Sequence, residues 1–183
     1  MRRMDSGDTD SLKAILQDKD VMYAYEHPFS DEEVTEWLVR QTKRYEEYGF
    51  GLWAVILRES GAMIGQCGIT MQNVPEEIVS VGIVPEIGYL FRRDFWHCGY
   101  ATEAACACRE YAFDVLGFNE IYSIIRDNNI PSQKVAVRNG MTPAGNFVKH
   151  YYGMDMPHIL YKAERKWNYA YKQTKSLFKR YCR

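Results

Sequence analysis

"VPEIGYLFRRDFWHCGYATEA", residues 84–104, is the stretch that decides the fold. Apolar residues up to Phe91 read as an extended strand, a turn forms around Gly99, and small residues from Tyr100 onward open a helix. A strand that ends in a turn and feeds a helix aims several backbone N–H groups at one spot, and such a spot binds anions. Gly99 lets the backbone approach a ligand closely, Ala101 adds little bulk, and the Thr102 hydroxyl adds a donor in the first helical turn. Arg92 and Arg93 supply positive charge just upstream. Glycines are too sparse for a Walker loop, and the G-x-G-x-x-G dinucleotide pattern is absent. The neighbours His97 and Cys98 raise a second reading, a thiol enzyme built on Cys98, because a helix N-terminus lowers a thiol pKa. Adjacent side chains diverge, however, and Cys/His pairs meet through the fold rather than through sequence neighbourhood.

Working outward, Ala101, Ala104, Ala105, Cys108, Tyr111, Ala112 and Val115 recur on one face of a helix over 100–116, and Gly117 stops it. "EIYSIIR" (120–126) follows as a strand. "IPSQKVAVRNGM" (130–141) reads as a short helix capped by Asn139 and Gly140, and 144–152 and 157–164 as two last strands. Upstream, 8–25 and 31–48 have helical patterning, with Ser30 as an N-cap ahead of acids that suit the helix dipole. Gly51–Thr70 reads as a hairpin, and 71–82 as a connection broken by Pro75. The expected fold is a mixed α/β (α+β) sheet whose helix 100–116 crosses over to a parallel neighbour.

The chain of 183 residues fits a single domain, expected at 1–165, followed by a basic helical extension at 166–183. From Lys162 to Arg183 the chain has eight Lys/Arg and the single acid Glu164. Trp167, Tyr171, Thr174, Phe178 and Tyr181 at helical spacing would dock that segment, and its charge also suits weak contact with a ribosome or RNA. A net charge of −1 argues against general nucleic-acid binding, so no DNA partner is expected. No apolar run would span a membrane or serve as a secretory signal, and five cysteines without framework spacing suit a reducing compartment; the cytoplasm is expected. The four histidines lie far apart, and no metal is expected.

The strand "EIGYLF", the loop "WHCGYATEA", "IIRDNNIPSQKVAVRNGM" and the ending "HILYKAER" together resemble the GNAT superfamily of N-acetyltransferases, in particular its ribosomal-protein alanine N-acetyltransferase (RimJ/RimL-like) branch. The resemblance runs from about residue 3 to 165. It implies a mixed, mostly antiparallel central sheet flanked by helices, with a β-α-β cofactor unit, and acetyl-CoA as cosubstrate. Trp96–Ala101 fits the superfamily's Q/R-x-x-G-x-G/A loop, with His97 where many relatives have Gly. By resemblance, the N–H groups of His97, Cys98, Gly99, Tyr100 and Ala101 hold the pyrophosphate, with Arg92 and Thr102 beside them. Leu90 and Phe91 pair with the pantetheine arm, and the thioester lies in a gap between this strand and the one at 120–126. Asn129 to Ser132 fits the family's N-x-x-S segment: Asn129 would bond the cofactor or order the loop, and Ser132 would be a proton donor to the departing thiolate, a plain helix N-cap, or both.

Acetyl transfer to an amine needs a neutral amine, stabilisation of the developing oxyanion and a proton for the thiolate. By resemblance the amine attacks directly. Glu86 is the carboxylate expected to take the amine proton, or else to orient the substrate. Trp37, Tyr23, Tyr25, Phe29, Tyr151 and Tyr152 are candidates for the acceptor site, while Tyr89, Tyr100 and Tyr111 are expected to pack. The acceptor would be a protein N-terminal α-amine or a small amine. A non-catalytic acyl-CoA sensor on the same fold is the alternative. "MRRMD" supplies only the end of the family's first strand, which implies either an upstream start or a second chain, as in a homodimer, covering that edge.

Overall fold

The computed structural model describes residues 1–25, 27–151 and 153–165. Tyr152 and the extension 166–183, with its docking aromatics, lie outside the described residues. Among the described residues, no helix is long and apolar enough to cross a membrane.

The elements in chain order are α1 (Thr9–Leu16), α2 (Asp31–Tyr48), β1 (Leu52–Ile56), β2 (Met63–Asn73), β3 (Ile83–Phe91), α3 (Tyr100–Asp114), β4 (Glu120–Arg126), α4 (Ile130–Arg138), β5 (Thr142–Tyr151) and β6 (Met154–Glu164). They form the expected mixed sheet, in the order β1-β2-β3-β4-β6-β5. Only β3 and β4 run parallel, joined by the α3 crossover; the other four pairings are antiparallel. Arg2 bridges Ala54 through two backbone hydrogen bonds, a short addition to the β1 edge.

Several elements follow from local chemistry. Ser30 and Glu33 form a reciprocal capping box at the start of α2, and Gly49 ends that helix at φ 78°. The helix expected over 8–25 is corrected: α1 stops at Leu16, and a separate 3-10 turn occupies Met22–Tyr25. The break lies at Asp18, whose side chain accepts the Asp20 N–H at 2.8 Å and so offers the backbone an alternative to continued helix. Pairing with β3 carries β2 on to Asn73, past the expected end at Thr70. The last two strands likewise begin earlier than expected, at Thr142 and Met154.

Directly paired residues share a face of the sheet. One face of β2 and β3 carries Cys67, Ile69, Ile87 and Phe91, which pack with Ala104, Ala105, Cys108 and Ala112 of α3 and Val135 and Ala136 of α4 in a dry core. On the other face, α1 and α2 cover Leu52, Ala54 and Met63 through Leu12, Ile15, Val34 and Leu38. That second face also carries Gln66, Thr70, Gln72, Glu86 and Gly88, polar or bare positions that no dry core would select. The site begins there.

Candidate active site

At Glu86 the sheet forks. Glu86 opposite Tyr122 is the whole parallel ladder between β3 and β4, after which the strands separate. Side chains satisfy the backbone at the fork: Ser123 Oγ donates to Ile87 O at 2.9 Å, and Glu86 Oε1 accepts the Ile124 N–H at 3.1 Å. The separation leaves peptide groups on the inner edge of β3 beyond Ile87. Arg92 N–H donates to Ile64 O of β2, which fixes the phase of the strand. Alternation then turns the Leu90 peptide groups toward β2, and those of Tyr89 and Phe91 toward the gap. The Leu90 peptide groups, expected to pair with a ligand, are thus turned to β2, and those of Tyr89 face the gap instead. At Phe91 the N–H is the group that faces out freely, because the carbonyl accepts from Trp96 Nε1 at 2.9 Å.

The loop after β3 turns tightly into a helix start. Gly99 caps α3 at φ 88°, and His97 is the lone non-glycine residue with positive φ among the described residues, at 61°. A side-chain carbon at Gly99 would meet nothing within 4 Å, so the ground above the first turn of α3 is open. The N–H groups of Tyr100, Ala101 and Thr102 start that helix and lack intrahelical partners. This geometry fits a diphosphate, the most acidic part of a CoA thioester. The arginines are less available than the sequence suggested: Arg92 pairs with Asp94 at 2.6 Å and lies over the Phe95 ring, and Arg93 pairs with Asp20. Cys98 Sγ donates to Trp96 O at 3.3 Å rather than to His97.

Asn129, and not Ser132, is the N-cap of α4: its Oδ1 accepts the Ser132 N–H at 3.1 Å and also the Tyr23 hydroxyl at 2.7 Å. Pro131 sits inside the first turn, so the cap lies three residues before Ser132, the cap that sequence suggested. Ser132 is thereby relieved of capping, and its carbonyl is fixed by the Tyr89 hydroxyl at 3.0 Å. Tyr89 packs against the core as expected and also ties β3 to α4 across the gap. Tyr111 does pack, edge-on against Trp53, and Tyr100 packs near Phe95.

A cleft of about 380 Å³ lies beside the fork, with Glu86, Tyr89, Leu90, Asn129 and Ser132 on its walls; residues 91–102 are not part of its lining. Of the aromatic acceptor-site candidates, Tyr25, Phe29, Trp37 and Tyr151 line it, whereas Tyr23 stands at its edge on Asn129. Burial holds the Glu86 carboxyl above the ordinary carboxylate range, partly offset by Lys149, the Ile124 N–H, Arg44 and Thr70. A half-desolvated carboxylate with raised pKa is a better proton acceptor than one in water.

Four lining residues escaped sequence reasoning. Gln66 is fully buried; Trp37 Nε1 donates to its Oε1 at 2.9 Å, which fixes the amide and leaves Nε2 a donor with no partner. His158 donates from Nδ1 to Met156 O at 2.7 Å, and burial lowers its pKa, so it is neutral near pH 7. Arg44 and Lys149 come from α2 and β5, far apart in the chain. A lone glutamine in a strand of apolar neighbours was the one available signal, since burying an amide needs a reason.

The acetyltransferase (GNAT) domain family matches residues 1–142. The uncharacterized protein YkkB of Bacillus subtilis is 34% identical over 142 residues, 77% of this chain and 80% of that one. An acetyltransferase (GNAT family) from Bacillus anthracis superposes with a TM-score of 0.72 at 24% identity, covering 89% of this chain and 92% of the other. A ribosomal L7/L12 alpha-N-protein acetyltransferase, solved with coenzyme A, gives 0.72 at 17% identity, with coverage of 89% and 92%.

Proposed function

The chain belongs to the GNAT acetyltransferase domain family, and from that premise we propose that it is an acetyl-CoA-dependent N-acetyltransferase acting on a primary amine by direct attack in a ternary complex. The observation that carries this reading is the fork at Glu86, which puts a carboxylate of raised pKa beside an unpaired strand edge. The acceptor is proposed as a peptide α-amine or a small amine, as in the ribosomal-protein (RimJ/RimL-like) branch. Residues 1–165 form the catalytic unit in this proposal, with 166–183 as an extension.

Acetyl-CoA supplies the activated acyl group as a thioester. Its diphosphate is assigned to the N–H groups of residues 97–102, and its pantetheine arm to the Tyr89 and Phe91 edge of β3, which it extends as an added strand would. Glu86 removes the proton from the attacking ammonium, directly or through one water. Gly88, with no side chain, leaves the path from Glu86 to the gap open. The Ser132 hydroxyl, no longer needed as a cap, returns a proton to the departing sulfur. A Ser132→Ala variant is expected to lose kcat with little change in KM; unchanged turnover removes that role.

The test is CoA release from acetyl-CoA against a panel of peptide and small amines, with the acetylated product identified by mass. Amine-dependent release with a stoichiometric N-acetyl product is expected. Tight CoA binding with no turnover on any amine would make the protein a sensor instead.

A further inference from the structure

An acceptor cleft for amines is expected to be acidic, since amines arrive protonated, and this one is not. Among the described residues that line it, Glu86 is the sole acid, against Arg40, Arg44, Arg126 and Lys149. Arg40 is answered by Glu36 at 3.8 Å and lies over the Trp37 ring. Arg44 has no such answer: its Nη1 donates to the neutral Gln41 Oε1 at 3.1 Å, and Arg40, one turn away on α2, repels it. Lys149 lines the same cleft from β5 with its ammonium over the Phe147 and Tyr151 rings, at 5.9 and 5.8 Å, and has no carboxylate within ion-pair distance among the described residues. Both cations act electrostatically on Glu86. Two half-buried cations that share one acid, with no ion pair of their own, are costly, and an anion delivered by a ligand is what relieves that cost.

Resting on the acetyltransferase reading above, we infer that the acceptor is an amine that carries a carboxylate, held by Arg44 of α2 and Lys149 of β5 while its nitrogen lies at Glu86. The two cations line one cleft from different elements and both act on its one acid, so a single small molecule with both charges answers all three groups. Polycationic amines such as polyamines and aminoglycosides are disfavoured, because they would bring further positive charge against Arg44 and Lys149. The carboxylate has two sources, the α-carboxylate of a free amino acid or the side chain of a short acidic peptide.

Two matched pairs separate these sources: alanine against alaninamide, and the dipeptide amide Ala-Glu against Ala-Gln. In kcat/KM with acetyl-CoA, the acid member of one pair is expected to lead by about tenfold or more, the scale of a charge-assisted hydrogen bond. Arg44→Gln and Lys149→Gln should each cut that ratio about tenfold, with Arg44→Lys recovering part of it. In wild type the ratio should also fall as salt rises, which needs no variant to fold. Ratios within roughly threefold for both pairs, or variants that lower both members equally, overturn the inference. Calorimetry of N-acetylalanine and the N-acetylated Ala-Glu amide against their neutral counterparts, on CoA-loaded protein, reads the same preference without turnover. A protein inactive on every amine but selective for the acids in calorimetry defeats the acetyltransferase reading and keeps the anion site; an active protein with no acid preference does the reverse.

Discussion

The two faces of β3 differ in kind. Ile87 and Phe91 point into a layer of small helical side chains, Ala104, Ala105, Cys108 and Ala112, in a buried apolar cluster. Glu86, Gly88 and Leu90 point the other way, toward a cleft that tolerates a raised carboxyl pKa, a buried amide donor without a partner and two cations without acids. One strand therefore anchors the domain with its odd residues and exposes chemistry with its even ones. A dry face spends its residues on stability; the other face carries strain that a bound ligand would relieve.

The comparison breaks first at Glu86. Glu86→Gln should lower kcat/KM about 100-fold or more, the usual scale for losing a general base. Its effect on stability should have the opposite sense. The folded carboxyl is raised above its unfolded value, so the stability it lends is complete below the unfolded pKa and is lost as pH rises through the folded one. Near neutral pH the glutamine variant should melt no lower than wild type, since its amide oxygen still accepts the Ile124 N–H. A lower Tm together with unimpaired turnover would make Glu86 a structural acid.

On the dry face the pattern should invert. Ala105→Leu inserts bulk where Ala105 is 1% exposed, and should cost about 1–3 kcal/mol, read as a lower Tm, while kcat of the folded fraction stays near wild type. Away from both faces, Ser30→Ala removes one half of the α2 capping box and should cost about 1 kcal/mol. Because α2 carries Trp37, Arg40 and Arg44, a Ser30→Ala loss confined to Tm says that the cap holds the helix without tuning the cleft; a fall in kcat/KM of similar size says that it does both.

The legibility of these regions in the sequence follows the range of the interactions that define them. The β3-loop-α3 unit was readable because its signals are local: a strand, a turn glycine and small residues at helical spacing. So was the capping box at Ser30. The break in the first helix was missed because Asp18 competes for the backbone through one side-chain bond that periodicity does not register. The cap of α4 was misplaced because Pro131 marks a helix start only to within a turn. Arg44, Lys149, Gln66 and His158 were not legible as a group, since they meet only when the order β2-β3-β4-β6-β5 brings them onto one face. Glu86 was legible as a carboxylate on the central strand. Its bond to the Ile124 N–H was not, because that contact depends on where two strands part.

The account stands on Glu86 serving as a proton acceptor inside this cleft, and the pH dependence of kcat/KM for wild type and Glu86→Gln tests it most directly. The account predicts an acid limb in the wild type that lies above the ordinary carboxylate range, because burial disfavours the charged form, and that disappears in the variant along with most of the rate. An unchanged limb in a Glu86→Gln enzyme that keeps its rate would contradict it, and would move proton removal to a neutral group of the cleft such as His158.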